Sequence, residues 1–441
     1  MRRTVTRRRA LGTTGTILAA LAGCSTLSTG TRYDEERLRD IAEEAIPDPS
    51  IQFPFTTPSS MIAFHRDRAR AFLEQVPESV SLPNAATARS IENERSALAD
   101  RVDSESREAD DSDGESDEDS RRTPRERLSD WRRNRVEAAR LLGRYRAATG
   151  DIERSALRER RDAIRSDRAD FVAAHEYRST DPTSAVHQHL VLESMLRTVT
   201  RELEPYPPFP EAPTADPDEV GYLVGKMVRA EATLSDARRY RDQLPDDGDS
   251  YRPAMMATAT WLRRRARRTE TALERYLEQG VSALDGDVSG TPRESWFRVA
   301  REIARDHSNS ELLDAIGESS YAGAVLEAGR RRTALSTLET VVDEIEGGTY
   351  GGRLSMAQLA SLRERAVSNV QSTLQKQDRF GRRLVEPAVD RIRDGSQRLG
   401  SGASPESVNC AAGRFAYAEY QAPQASAVAD EVRNLLTSAG E

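Results

Sequence analysis

Apolar residues recur at helical spacing along most of the chain. A short helix is predicted over Thr31–Ile46, with Leu38, Ile41 and Ala45 on one face and Pro47 and Pro49 ending it. From Ser59 the pattern resumes with Met61, Ile62, Phe64, Ala69, Phe72 and Val76. A sparser helix follows over Asn84–Val102, edged by Ile91, Leu98 and Val102. Thr123-Pro124-Arg125-Glu126 is a capping box with proline in the first turn, because the Thr and Glu side chains can bond each other's backbone N–H. Beyond it Leu128, Trp131, Ala138, Leu142, Tyr145 and Ile152 fall near a heptad spacing. The register then shifts to Leu157, Ile164 and Phe171, which implies either a stutter in one long helix or a hairpin at Gly150-Asp151. Asp181-Pro182 opens a further helix whose seam runs Ala185, His189, Leu192, Leu196, Val199, Leu203. Asp216-Pro217 opens another, carrying Val220, Leu223, Met227, Leu234, Ala237 and Leu244. Later helices are predicted over 253–284, 292–306, 309–346, 356–394 and 405–436. Capping boxes are read at Thr291–Glu294, Ser308–Glu311 and Ser355–Gln358.

Composition supports this reading. Charged residues make up 31% of the 441 positions and aromatics only 5%, which disfavours a sandwich or barrel, since strands draw on aromatic and β-branched side chains. The expected fold is all-α: elongated antiparallel helical bundles or coiled coils in two lobes, with disordered linkers. Residues 24–58 read as a lipidated N-terminus and tether, and 59–204 as an N-terminal lobe. Residues 205–217, with six prolines, read as a stiff crossover, and 218–441 as a C-terminal lobe. Within the first lobe, 103–122 is expected to be disordered. Residues 103–119 hold ten carboxylates and one arginine, with too little apolar surface to offset the entropy of ordering.

The first 24 residues carry the most specific signal. Five arginines precede an uncharged stretch from Ala10 to Ala22, and Leu21-Ala22-Gly23-Cys24 closes it. Thr6–Gly12, with Arg7 and Arg8 as the pair, resembles a twin-arginine export signal, although Ala10 stands where that signal often has Phe. Leu21–Cys24 resembles a lipobox, which implies residues 1–23 as a cleaved signal peptide and a lipid on Cys24. Together with basic charge carried almost wholly by arginine, Lys226 and Lys376 being the only lysines, these features resemble secreted lipoproteins of halophilic archaea. The resemblance covers leader and composition, so it implies a lipid-anchored location on the extracytoplasmic face of the cell membrane and no activity. Removing the leader's five arginines takes the net charge from -8 to -13, most of which lies in the acidic tract.

Three groups of residues are candidates for chemistry. Asp285, Asp287 and Ser289, followed by Gly290, resemble the first half of a calcium-binding EF-hand loop. Trp296 stands where the bidentate Glu belongs, so a polar turn is the simpler reading. His175, His189 and Glu193 could converge if their helices pair, giving two nitrogens and a carboxylate for zinc, with histidines hydrogen-bonded at a core edge as the alternative. The arginine runs 263–268 and 330–332 are interleaved with Glu, as solvated helix faces are, and nucleic acid is not an expected partner. Cys410 reads as a buried small hydrophobe. No GxSxG, phosphate-loop or dinucleotide motif occurs, so no catalytic residue is expected, and no cofactor beyond the lipid. The functional expectation is a non-catalytic scaffold or binding component held at the cell surface, with a protein partner. The alternative is a helical metal- or solute-binding protein, or a metal-dependent hydrolase, using His175, His189 and Glu193.

Overall fold

The structure, a computed structural model, describes residues 33–49, 51–111, 122–204, 208–307, 314–349 and 351–438, and of 107–111 the backbone only. It is all-α, 78% helical, in two lobes. Arg7, Arg8, Cys24 and the box at Ser308–Glu311 lie outside the described residues. No helix among the described residues is long and apolar enough to cross a membrane.

The N-terminal lobe is built from α2 (Ser59–Glu74), α3 (Ala85–Asp111), α4 (Pro124–Thr149), α5 (Arg154–Ala173), α6 (Pro182–Leu203) and α7 (Pro217–Arg241). α4 starts at the capping box of Thr123 and Glu126, and it ends at Gly150, whose φ of 82° needs a residue without a Cβ. The register shift is therefore a hairpin. α4 and α7 cross closely: a Cβ on Gly221 would sit 2.7 Å from the Arg140 carbonyl oxygen, and one on Gly143 2.7 Å from Val224 Cβ. Glycine at these positions lets the two backbones approach and makes this pair the spine of the lobe.

The C-terminal lobe comprises α8 (Arg252–Ala272), α9 (Glu274–Gln279), α10 (Pro292–Asp306), α11 (Tyr321–Glu346), α12 (Met356–Lys376), α13 (Arg379–Gly400) and α14 (Pro405–Ser438). α1 (Glu35–Glu43) also packs here, against α13. The helix expected over 253–284 breaks at Leu273, and the one expected over 356–394 breaks at Gln377-Asp378, where Asp378 caps α13. At Thr291 the box does not close. Its hydroxyl donates to the Val288 carbonyl, and Glu294 accepts from the Gly290 amide instead.

Three boundaries differ from expectation. The cores divide between Leu244 and Tyr251, not at the proline-rich stretch, because α7 folds back along α4 and buries Val220, Leu223, Val228 and Leu234 in the N-terminal core. Much of the expected tether packs. Tyr33, Leu38 and Ile41 join the C-terminal core, and Phe55 joins the N-terminal one. The acidic tract is helical as far as Asp111: Val102 and Ser106 are buried, and the Ser106 hydroxyl accepts from Arg70 at 2.8 Å. Residues 112–121 lie outside the described residues.

The lobes share α6. Ala185, Val186 and Leu190 in its first half belong to the C-terminal core, whereas Leu192, Leu196, Val199 and Leu203 belong to the N-terminal one. A two-stranded antiparallel ladder, β1 (Arg178–Ser179) on β2 (Asp249–Ser250), ties the turn before α6 to the connection between the lobes. Gly248 is required there, since a Cβ would lie 2.6 Å from the Ser179 carbonyl oxygen.

Candidate functional site

The residues singled out at the turn before α6 do meet, but in a closed network. His189 Nε2 lies 3.1 Å from the Arg178 carbonyl oxygen, so it carries the proton. His189 Nδ1 then accepts from His175 Nε2 at 2.9 Å. Both rings are buried and held neutral, His175 pushed down to about 3 and His189 to about 4, chiefly because burial disfavours the charged ring. His175 stacks on Phe171, with Tyr177 against both imidazoles.

Glu193 is turned away from this pair toward α11. Its Oε1 accepts from the Tyr177 hydroxyl at 2.6 Å and the Ala322 amide at 2.9 Å, and its Oε2 from the Ser320 hydroxyl at 2.7 Å and the Gly323 amide at 2.6 Å. A carboxylate from α6 thus caps the N-terminus of α11, where unpaired N–H groups and the helix dipole favour negative charge. Burial pushes the Glu193 carboxyl up, and the four hydrogen bonds pull against that. Tyr177 and Ser319 are the non-glycine residues with positive φ, 59° each, among the described residues. Both belong to this network, the Tyr177 hydroxyl also reaching the Ser319 carbonyl oxygen at 2.7 Å. His187 points elsewhere, its Nε2 donating to the Gln52 carbonyl at 2.9 Å.

This arrangement overturns the metal reading. No group of three or more His, Cys, Asp or Glu among the described residues could hold a metal ion. His175, His189 and Glu193 spend their facing atoms on each other and on α11. Asp287 accepts from the Ser289 amide at 3.0 Å, forming the polar turn. Of the arginine runs, Arg264, Arg265, Arg267 and Arg268 are exposed on α8. Arg331 is buried, bonding the His307 carbonyl and Glu270. Cys410 is half-buried, its Sγ accepting from Arg414 at 2.6 Å.

A second buried polar cluster lies in the N-terminal core, where sequence reasoning found nothing. Asp236 and His65 are both fully buried, with His65 Nε2 2.9 Å from Asp236 Oδ1 and Arg135 3.4 Å from His65 Nδ1. The other Asp236 oxygen is bonded by Arg132.

Arg132 also borders a cleft of about 560 Å³ between the lobes. Its walls come from α4, α6, α7, α11, α13 and the strap 51–54, which crosses the junction held by His187 and by Arg379 on Gln52. Apolar surface is supplied by Ile51, Phe53, Leu128, Val191, Met195 and Leu326. Five guanidinium groups line it: Arg125, Arg132, Arg197, Arg330 and Arg383. Arg132 is paired with Asp236, and Arg330 and Arg383 share Glu327 and Glu386. Arg125 lies over the Phe53 ring, 4.3 Å from its centroid. The sequence offered no signal for this cleft, because its residues come from six separate segments.

The chain's two halves resemble known families separately. Residues 60–250 match a family described as a domain of unknown function (DUF8262), and residues 252–434 match another so described (DUF8264). The junction between the two matches coincides with the division of the cores. No curated protein and no solved structure matches the chain.

Proposed function

We propose that the protein is a non-catalytic binding component, exported, anchored by a lipid on Cys24 at the extracytoplasmic face of the membrane, and recognising its ligand in the cleft between the lobes. The cleft is the observation that carries this reading. Its volume falls within the roughly 300–1,000 Å³ of small-molecule sites, and such sites concentrate at domain interfaces. Its lining combines apolar side chains with arginines, serines and a glutamate.

The docking of α1 sharpens the anchoring. With α1 docked, eight residues separate Cys24 from Tyr33. At most about 30 Å of chain then lies between the lipid and the folded body. The body would sit against the membrane surface rather than reach away from it.

Two measurements test the reading. Cys24→Ser should move the protein from the membrane to the soluble fraction, and a variant that stays bound contradicts the anchor. Ser194→Trp places an indole in the cleft from an exposed position on α6. Native mass spectrometry of the protein purified gently from its own membranes should show an added mass that this variant lacks. Identical spectra for the two proteins would remove the cleft as the recognition site.

A further inference from the structure

The charges around the cleft do not balance, and the imbalance indicates what it takes. Its five guanidinium groups face three carboxylates, those of Asp236, Glu327 and Glu386. Asp236 is occupied by Arg132 and His65. Glu327 bonds Arg330 at 3.2 Å, and Glu386 lies 3.9 Å from Arg330 and 3.6 Å from Arg383. This leaves Arg125 and Arg197, neither in an ion pair with a described residue. Arg125 keeps its cationic face on Phe53. Arg197, exposed on α6, lines both the cleft and a second, small cavity bordered by His175, Tyr177, Glu193 and Glu318. In a chain of net charge -8, a concave surface with two uncompensated guanidiniums is a local inversion of sign.

The rest of the lining argues for an apolar body behind the charge. Ile51, Phe53, Leu128, Val191, Met195 and Leu326 contribute apolar surface among the polar groups, and methionine beside aromatic and aliphatic groups adapts to varied shapes. A bare inorganic anion would leave the apolar part of the lining wet, and a neutral apolar molecule would make no use of the two guanidiniums. A cation would meet net positive charge.

We propose that the cleft binds a small organic anion, one carboxylate, sulfonate or phosphate group on an apolar body, with the anionic group held by Arg197 and Arg125 and the body lying against Phe53, Leu128, Met195 and Leu326. Guanidinium suits this task because its planar donors match an oxyanion two at a time. The inference rests on the cleft being the recognition site.

The test uses the purified protein and two probes that carry an anion on an apolar body, 1-anilinonaphthalene-8-sulfonate and decanoate. The sulfonate should bind saturably with enhanced fluorescence and be displaced by decanoate, but not by inorganic phosphate at the same concentration. Arg125→Glu combined with Arg197→Glu should weaken both probes by about tenfold or more, and Arg197→Gln alone by less. Arg305→Glu, outside the cleft, should leave binding unchanged. Circular dichroism and thermal unfolding identify any variant that has lost its fold. Equal affinity in the double charge reversal, displacement by phosphate alone, or no saturable binding each overturns the assignment. The failures are separable. If Ser194→Trp abolishes the co-purifying mass while charge reversal leaves probe binding intact, the cleft still binds and only the ligand class is wrong.

Discussion

Glu193 shows how far single residues could be understood from their neighbours in the chain. Its four-residue spacing from His189 places both on one helix face, and His175 and His189 do form a hydrogen bond. What the spacing could not supply was the set of donors some 130 positions later, at Ser320, Ala322 and Gly323. A histidine pair beside a carboxylate suggests a metal when only short-range order is visible. With α11 in view, the carboxylate is a helix cap delivered from another lobe. Glu193→Ala would leave two backbone N–H groups and the Ser320 hydroxyl buried without their acceptor, while the Tyr177 hydroxyl keeps the Ser319 carbonyl oxygen. The expected loss is about 3 kcal/mol, since each stranded buried donor costs about 1–3 kcal/mol and relaxation recovers part of the total. Glu193→Gln should lose nearly as much, because its amide nitrogen would face donors. Urea unfolding checks both; a midpoint within error of the parent protein would mean that the α6–α11 contact does not hold the lobes together.

At the scale of elements, helix starts were legible and helix partners were not. Thr123, Asp181, Asp216 and Ser355 each accept the backbone hydrogen bond that their local sequence advertises. Such caps are written within four residues, so no tertiary information is needed to read them. α1 is the contrary case. Three apolar positions between polar residues and prolines suggest a tether, and only the presence of α12 and α13 gives them something to bury against. The clamp is Arg363, whose side chain is 1% exposed. It bonds the Glu44 carboxylate and the Glu44 carbonyl oxygen at 2.6 Å each, just past the end of α1. Glu44 itself is about half exposed, so Arg363→Met would strand no buried carboxylate. The expected result is local: hydrogen exchange at amides 38–43 speeds up by roughly an order of magnitude, for a loss near 1.4 kcal/mol, while α12 keeps its protection. Uniform loss of protection across α12 and α13 would show instead that Arg363 supports the whole lobe.

Over the whole molecule, the two cores are welded through α6, and the chain's five histidines are distributed on both sides of that weld. Burial lowers the pKa of all five, His65, His175, His187, His189 and His307, so the folded protein keeps them neutral. Their unfolded value is near 6.5. Between that pH and the folded values, about 3 for His175 and 4 for His189, the unfolded chain binds more protons than the folded one. The stability these rings contribute is therefore present in full above about pH 6.5 and is lost as pH falls toward 4, by up to about 1.4 kcal/mol per ring per pH unit. Glu105, Glu193 and Glu431 work in the opposite sense, their carboxyls being raised by burial, but the five histidines outnumber them. Urea midpoints should be level from pH 7 to 8 and fall steadily from 6.5 to 4. Replacing the coupled pair with His175→Phe and His189→Gln lets phenylalanine stack on Phe171 and the glutamine amide bond the Arg178 carbonyl. It should flatten part of that slope even if it lowers stability at neutral pH. A slope as steep in the double variant as in the parent would assign the acid sensitivity to other groups.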